Sequence, residues 1–227
     1  MPSITLFQTP PPESFQAQIQ QLVIDNLTAI SQVALPAGNA LYPLYQYGVG
    51  YEVYQYLQAM DGSRGFAVEV VAALDDEDPS QLMGFALYLP LSGDAEACSL
   101  LFLAVKDGHR RQGIARAMVQ KVLARYPHAE LGCVVSQVAC GQALGFQVIG
   151  TRGSQVLMNT RDHASQGLTP VLDTAPIYRS VEVRQIHAYL LKQHGEPAMV
   201  NAEKQRDRHL DALAREAQAF VKVHLGL

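Results

Sequence analysis

The chain has no tryptophan, only three cysteines and few charges: Asp, Glu, Lys and Arg make up 17% of its 227 residues, with a formal net charge of −4. Each scarcity removes a class of function. A low and slightly acidic charge sets up no whole-surface positive field to gather nucleic acid or anionic lipid, so any polyanion has to be held locally. Cys98, Cys133 and Cys140 form no Cys-x-x-Cys pair and cannot all pair within one chain, which reads as reduced thiols. The seven histidines never stand at His-x-x-x-His or His-Glu-x-x-His spacing, so no metal site is expected. Apolar runs such as "VEVVAAL" fall far short of a membrane span. The opening "MPSITLFQTPPPE" lacks the basic and apolar regions of a secretory signal. A cytoplasmic chain with no metal, membrane or nucleic-acid partner is the expectation.

What is present is apolar: 48% of the residues, enough for a substantial core. "SITLF" reads as a strand, and Phe15, Ile19, Leu22, Val23, Leu27 and Ile30 recur at helical spacing through residues 13–31. "LPAGNALYP" breaks that helix, and "YEVYQYLQAM" makes a second, stopped by "DGSRG". Three β-rich segments, "FAVEVVAAL", "QLMGFALYLPL" and "ACSLLFLAV", follow with polar turns between them, the pattern of an antiparallel meander. Helical spacing returns at Ile114, Met118 and Val122. "LGCVV" is then a short strand, Ser136 a cap for the helix "QVACGQAL", and Arg152-Gly153-Ser154 a hairpin turn between two last strands. The order β-α-α-β-β-β-α-β-α-β-β is an α/β mixture around a central sheet.

After Arg161 the texture changes. Residues 1–162 read as one domain, 163–178 as a linker and 179–227 as a helical extension. The extension's stripe of Leu210, Leu213, Ala217, Phe220 and Val221 has to be covered, either on the core or in a homodimer.

One stretch carries chemistry. In "LAVKDGHRRQGIARAMV" a strand ends, a short loop follows, and a helix begins just after Gly113. First-turn amides of a helix lack partners and carry the positive end of its dipole, which suits phosphate oxygens. Gly113 keeps side-chain bulk away from the closest approach, Ala115 is small, and Arg110 and Arg111 offer charge. An ordinary basic loop before a core helix would read the same way. Other phosphate loops are absent: there is no G-x-x-x-x-G-K-[ST], and "GVGYEV" has Val53 where a dinucleotide fingerprint needs its third glycine.

The same stretch resembles motif A of the GNAT (Gcn5-related) N-acetyltransferases, [QR]-x-x-G-x-[GA], with Arg110, Gly113 and Ala115 at its three defined places. "QALGFQVIG" resembles the family's later "LGF" segment, and the element order agrees from about residue 3 to 160. The resemblance implies a GNAT-like mixed, mainly antiparallel sheet flanked by helices. It also implies an acetyl-CoA co-substrate, whose pyrophosphate lies on the amides of Arg110, Arg111, Gln112, Gly113, Ile114 and Ala115. The pantetheine arm would add like a strand to Leu103, Ala104 and Val105. The implied reaction moves an acetyl group to a primary amine of a small molecule, peptide or protein.

Departures from the family pattern are equally legible. The tyrosine that often protonates the leaving thiolate, four residues before the glycine of "LGF", is Gly141 here; Cys140 beside it reads as packing more readily than as an acid. The glutamate many members carry on the strand before "LAV" is missing, leaving Glu96, Asp94 or a water held by Ser99 as substitutes. His109, in place of a common aromatic residue, reads as a loop histidine. Those gaps keep a second reading open, a non-catalytic acyl-CoA-binding regulatory module. Six tyrosines crowd "LYPLYQYGVGYEVYQY", where the fold commonly walls its acceptor site. Tyr47, Tyr51 and Glu52 are therefore candidates for acceptor recognition, against the plainer reading of a helix face packed on the sheet.

Overall fold

A computed structural model describes residues 2–226. Seven strands form one sheet in the order β1-β2-β3-β4-β5-β7-β6. These are β1 (Ser3–Phe7), β2 (Glu69–Leu74), β3 (Leu82–Pro90), β4 (Ala97–Val105), β5 (His128–Cys133), β6 (Gln147–Arg152) and β7 (Gln155–Asn159). The expected meander is there: β2, β3 and β4 pair antiparallel through short turns. Only β4 and β5 run parallel, because helix α4 (Ile114–Leu123) carries the chain back across the sheet between them.

On one face lie α1 (Glu13–Asp25), a single turn α2 (Leu27–Ile30) and α3 (Tyr42–Ala59). They bury Ile19, Leu22, Val53, Tyr56 and Leu57 against Phe85, Leu87 and Phe102. On the other face α4 buries Ile114, Met118, Val119 and Val122. The short α5 (Val138–Ala143) packs beside it.

Three local expectations need correction. The helix over residues 13–31 stops at Asp25: Asn26 leaves helical geometry, and its side chain donates back to the Leu22 carbonyl at 2.8 Å. Such local bonding by Asn competes with the helix. Ser136 is not a helix cap; it lies inside a 3-10 turn, and Gln137 precedes α5 without a capping side-chain bond.

Residues 163–178 are not a free linker either. Leu168 exchanges two backbone hydrogen bonds with Ser92, of 2.9 and 3.0 Å. The Ser165 amide donates to the Glu130 carboxylate at 2.6 Å, and the Leu172 amide donates to the Tyr56 hydroxyl at 3.1 Å. The segment then forms α6 (Ala175–Tyr178), with Ile177 buried, so it runs as a strap along the outside of α3.

The extension continues as α7 (Val181–His194) and α8 (Glu196–Leu225). Ala217 and Val221 are buried in the same cluster as Val148, Val156 and Met158 of β6 and β7. At its other end α8 packs Met199 and Ala202 against Leu41 and Leu44. Ala217, Phe220 and Val221 of the stripe that required a cover find one on the chain's own sheet. Among the described residues no helix is long and apolar enough to cross a membrane.

Candidate functional site

Strands β4 and β5 pair over three positions only: Ala97 with His128, Cys98 with Ala129, and Ser99 with Glu130. Beyond Ser99 they diverge. β4 stays with β3 as far as Val105, while Leu131–Cys133 of β5 stay with β7. The cause of the split is visible in the register. Phe102 faces Leu87 but Leu100 faces Tyr88, so Leu101 is an extra residue in β4. A bulge of this kind bends its strand and sharpens its twist. The result is a wedge whose walls are the free edges of Leu100–Val105 and of β5, with its vertex at Ser99 and Glu130.

At the open end of the wedge the chain passes through two left-handed residues, Arg111 (φ 61°) and Gly113 (φ 83°), before α4 begins. A non-glycine residue in that conformation costs roughly 1–2 kcal/mol, and such strain gathers at functional sites. The amides of Arg111, Gln112 and Gly113 donate to no other described residue, and no side chain caps the helix. A Cβ placed on Gly113 would meet nothing within 4 Å. Glycine is therefore used here for its backbone angle, and the space before it is open. The loop is braced from behind: the Gln112 side chain donates to the Gly108 carbonyl at 3.1 Å.

Arg110 and Arg111 differ in their availability. Arg110, exposed like Arg111, is nonetheless engaged, with Nε donating to the Val105 carbonyl at 3.2 Å, an ion pair to Asp107 at 2.7 Å and a hydrogen bond to Asn26. Its guanidinium ties the loop to the end of α1, so the free charge expected of both arginines rests with exposed Arg111. Leu103 and Val105 lean to the α4 face and Ala104 to the α1–α3 face, as alternation along a strand requires.

The substitutes for the missing strand glutamate separate. Ser99 stands at the vertex, half-buried. Glu96 lies before β4 begins, exposed and paired with Arg161 at 2.8 Å. Three residues of extended chain, about 10 Å, part it from the vertex. Glu130, which the sequence did not single out, is the carboxylate in register with Ser99. No pattern in "HAELGC" marks it, because the pairing of β4 with β5 is what brings it there.

The tyrosine cluster also divides. Tyr47, Tyr51 and Tyr54 form a stacked row with centroids 5.8 Å apart in each step, and Tyr51 and Tyr54 are exposed. Glu52 belongs to another row of α3, with Tyr45, Gly48 and Tyr56, under the strap. The structure thus parts Tyr47 and Tyr51 from Glu52. Burial raises the Glu52 carboxyl from its ordinary 4.5 to about 7.

The vacancy at Gly141 has a steric cause. A Cβ there would lie 2.8 Å from the Met158 sulfur and 3.1 Å from its methyl. Any side chain at this position requires the buried Met158 side chain to shift. Cys140 beside it is exposed, whereas burial pushes the Cys133 thiol up to about 11.

Residues 34–144 match the model of the Acetyltransferase (GNAT) family. This stretch is a GNAT acetyltransferase domain. Solved GNAT-fold structures agree with its architecture. The PaiA N-acetyltransferase of Thermoplasma acidophilum, solved with coenzyme A, is 13% identical with a TM-score of 0.54, over 70% of this chain and 99% of that one. A histone acetyltransferase HPA2 and related acetyltransferase from Corynebacterium glutamicum is 14% identical with a TM-score of 0.51, over 73% and 98%. Aminoglycoside 6'-acetyltransferase type Ii is 17% identical with a TM-score of 0.51, over 72% and 99%. At these identities the likeness concerns the fold. No curated sequence matches the GNAT chain at a significant level.

Proposed function

We propose that this GNAT chain is an acetyl-CoA-dependent N-acetyltransferase acting on a primary amine. The observation that carries the reading is the unfilled cradle of Arg111–Ala115, set at the mouth of the β4–β5 wedge. Bare amides at a helix start, an adjacent Arg111 and clear space suit a diphosphate. A free strand edge beside it suits an extended arm with amide groups. The residues present thus fit coenzyme A. Acetyl-CoA, when bound there, would supply the acyl group as a thioester, with the CoA sulfur as leaving group.

The chain's own residues have the remaining tasks. Arg111, Gln112, Gly113, Ile114 and Ala115 bind and orient the diphosphate, and the β4 edge at Leu103–Val105 aligns the arm. Gly141 supplies no side chain to protonate the leaving sulfur. A thiolate leaves without that help more readily than an alkoxide or amide would, so the gap is compatible with turnover. The strap and α8 hold the far wall of the domain. We assign them to the same working unit as residues 1–162, which makes a homodimer through these helices unnecessary for covering their apolar stripe.

Calorimetric titration of the full chain with coenzyme A, alongside thiol release from acetyl-CoA in the presence of primary amines, tests this reading. Binding with turnover supports it. Binding without turnover on any amine favours the regulatory module, and no binding removes both.

A further inference from the structure

We propose that Glu52, enclosed between Tyr56 of its own helix and Tyr178 of the C-terminal strap, takes the proton from the ammonium of an acceptor whose amine sits on an aromatic or apolar carbon body. The inference rests on the acetyl-CoA reading above, and it makes the strap part of the active site.

Placement comes first. α3 crosses the sheet face opposite α4, and Tyr56 meets Phe102 edge-on at 6.4 Å, directly beside the bulge that opens β4 from β5. Glu52 stands one helical turn before Tyr56, on the side of α3 turned to the strap. The strap is anchored at three points along this side. Ser165 is held by Glu130 at the wedge vertex, Leu172 by the Tyr56 hydroxyl, and Tyr178 by close contact with Gly48. That last contact is tight enough to require glycine: a Cβ on Gly48 would fall 2.7 Å from the Tyr178 hydroxyl oxygen. Tyr178 also leans on Tyr45, ring centroids 5.9 Å apart. Glu52 is therefore a carboxylate between tyrosines of its own helix and of the strap, one turn from the Tyr56 ring that meets β4 at Phe102.

Its bonding is unusual for a group so placed. No hydrogen bond or ion pair joins Glu52 to another described residue. Part of its surface stays open. Buried carboxylates are ordinarily paired, and one left without a partner in an accessible recess is suited to an incoming cation. The groups whose charge reaches it are the Tyr56 and Tyr178 hydroxyls, both held above their usual range chiefly by burial and thus neutral at working pH. With no cation beside it, Glu52 has affinity for a proton as well as for an ammonium. The aromatic walls favour an organic cation over a hydrated one.

The competing carboxylates are engaged. Glu96 is paired with Arg161, and Glu130 accepts the Ser165 amide. The step is a simple exchange: the alkylammonium gives one proton to the Glu52 carboxylate, leaving a neutral amine with its lone pair free and Glu52 as the carboxylic acid. A base near neutrality is well matched to this work.

The test uses the full chain, acetyl-CoA and phenethylamine as acceptor, with thiol release followed from pH 5.5 to 9. In the native chain kcat/KM is expected to rise about tenfold per pH unit and level off above about 7, where Glu52 becomes ionised. E52Q is expected to lose at least ~100-fold in kcat/KM and the rising limb with it, while coenzyme A affinity stays within twofold. E130Q, which removes the carboxylate charge at the vertex while keeping an acceptor for the Ser165 amide, is expected to keep the limb at its place. A limb retained in E52Q, or lost in E130Q instead, overturns the assignment. Coenzyme A binding without phenethylamine turnover overturns the proposal and leaves the acetyl-CoA reading standing; failure to bind coenzyme A removes that reading as well.

Discussion

Replacing Gly113 by aspartate separates a phosphate cradle from an ordinary helix start. The side chain would project into space that is empty within 4 Å, so it meets no protein atom. It would, however, stand where a diphosphate has to lie. Two unit charges about 5 Å apart at an effective dielectric of 20–30 repel by about 2–3 kcal/mol. Since 1.4 kcal/mol is a factor of ten, coenzyme A affinity should fall by about 30- to 140-fold. Gly113→Asn supplies the same bulk without the charge and tolerates the left-handed φ of 83° almost as well. Both variants should lose about 1 kcal/mol of stability from the backbone angle, and they should lose it equally. Calorimetric titration at two ionic strengths gives the result, because the charged part of the loss shrinks as salt rises. Equal coenzyme A affinity in the native chain and Gly113→Asp would refute the placement of the diphosphate on this loop.

Other expectations follow from the same geometry. Arg110→Ala should lower the melting temperature by a few degrees, because it frees Asn26 and the Val105 carbonyl, whereas Arg111→Ala should leave stability alone and weaken coenzyme A binding in a salt-dependent way; thermal scans and titrations distinguish them. Gly141→Tyr should destabilise the domain by about 1–3 kcal/mol, since the buried Met158 side chain has to shift, and denaturant unfolding will show it. Ala217→Asp, burying a charge under α8 against β6 and β7, should detach the extension and be visible as lost protection of α8 in hydrogen exchange. The carboxyl of Glu52 is raised from 4.5 to about 7, so the folded chain keeps a proton that the unfolded chain has lost. The resulting stability is full below about 4.5 and disappears as pH climbs through 7. The melting temperature of the native chain should accordingly fall more between pH 5 and 8 than that of E52Q.

Local pattern was enough for most of the elements. The 3.6-residue period of Ile114, Met118 and Val122 and the β-branched runs of β2 to β4 reflect faces that bury themselves whatever lies opposite, so they are written into the chain. The positions of Arg110, Gly113 and Ala115 likewise located the candidate anion loop, because a left-handed turn and a helix start are local events. Where the sequence misled, the deciding contact was distant. Arg110 looked like a free charge until the fold brought Asn26 to it, 84 residues away in the chain. Residues 163–178 looked like a spacer because their partners, Ser92, Glu130 and Tyr56, lie on three different elements.

The acceptor side was the least legible for the same reason. Tyr47, Tyr51 and Glu52 are close in sequence, yet the turn of a helix exposes Tyr51, packs Tyr47 toward Ser180 and sends the carboxylate beneath the strap. Helix starts, strand periods and the bare loop before α4 depend on neighbours a few residues away, and the local sequence alone determines them. Which carboxylate loses its water, which arginine is already engaged and which glycine is closed off by Met158 depend on packing across the sheet, and only the tertiary structure decides those.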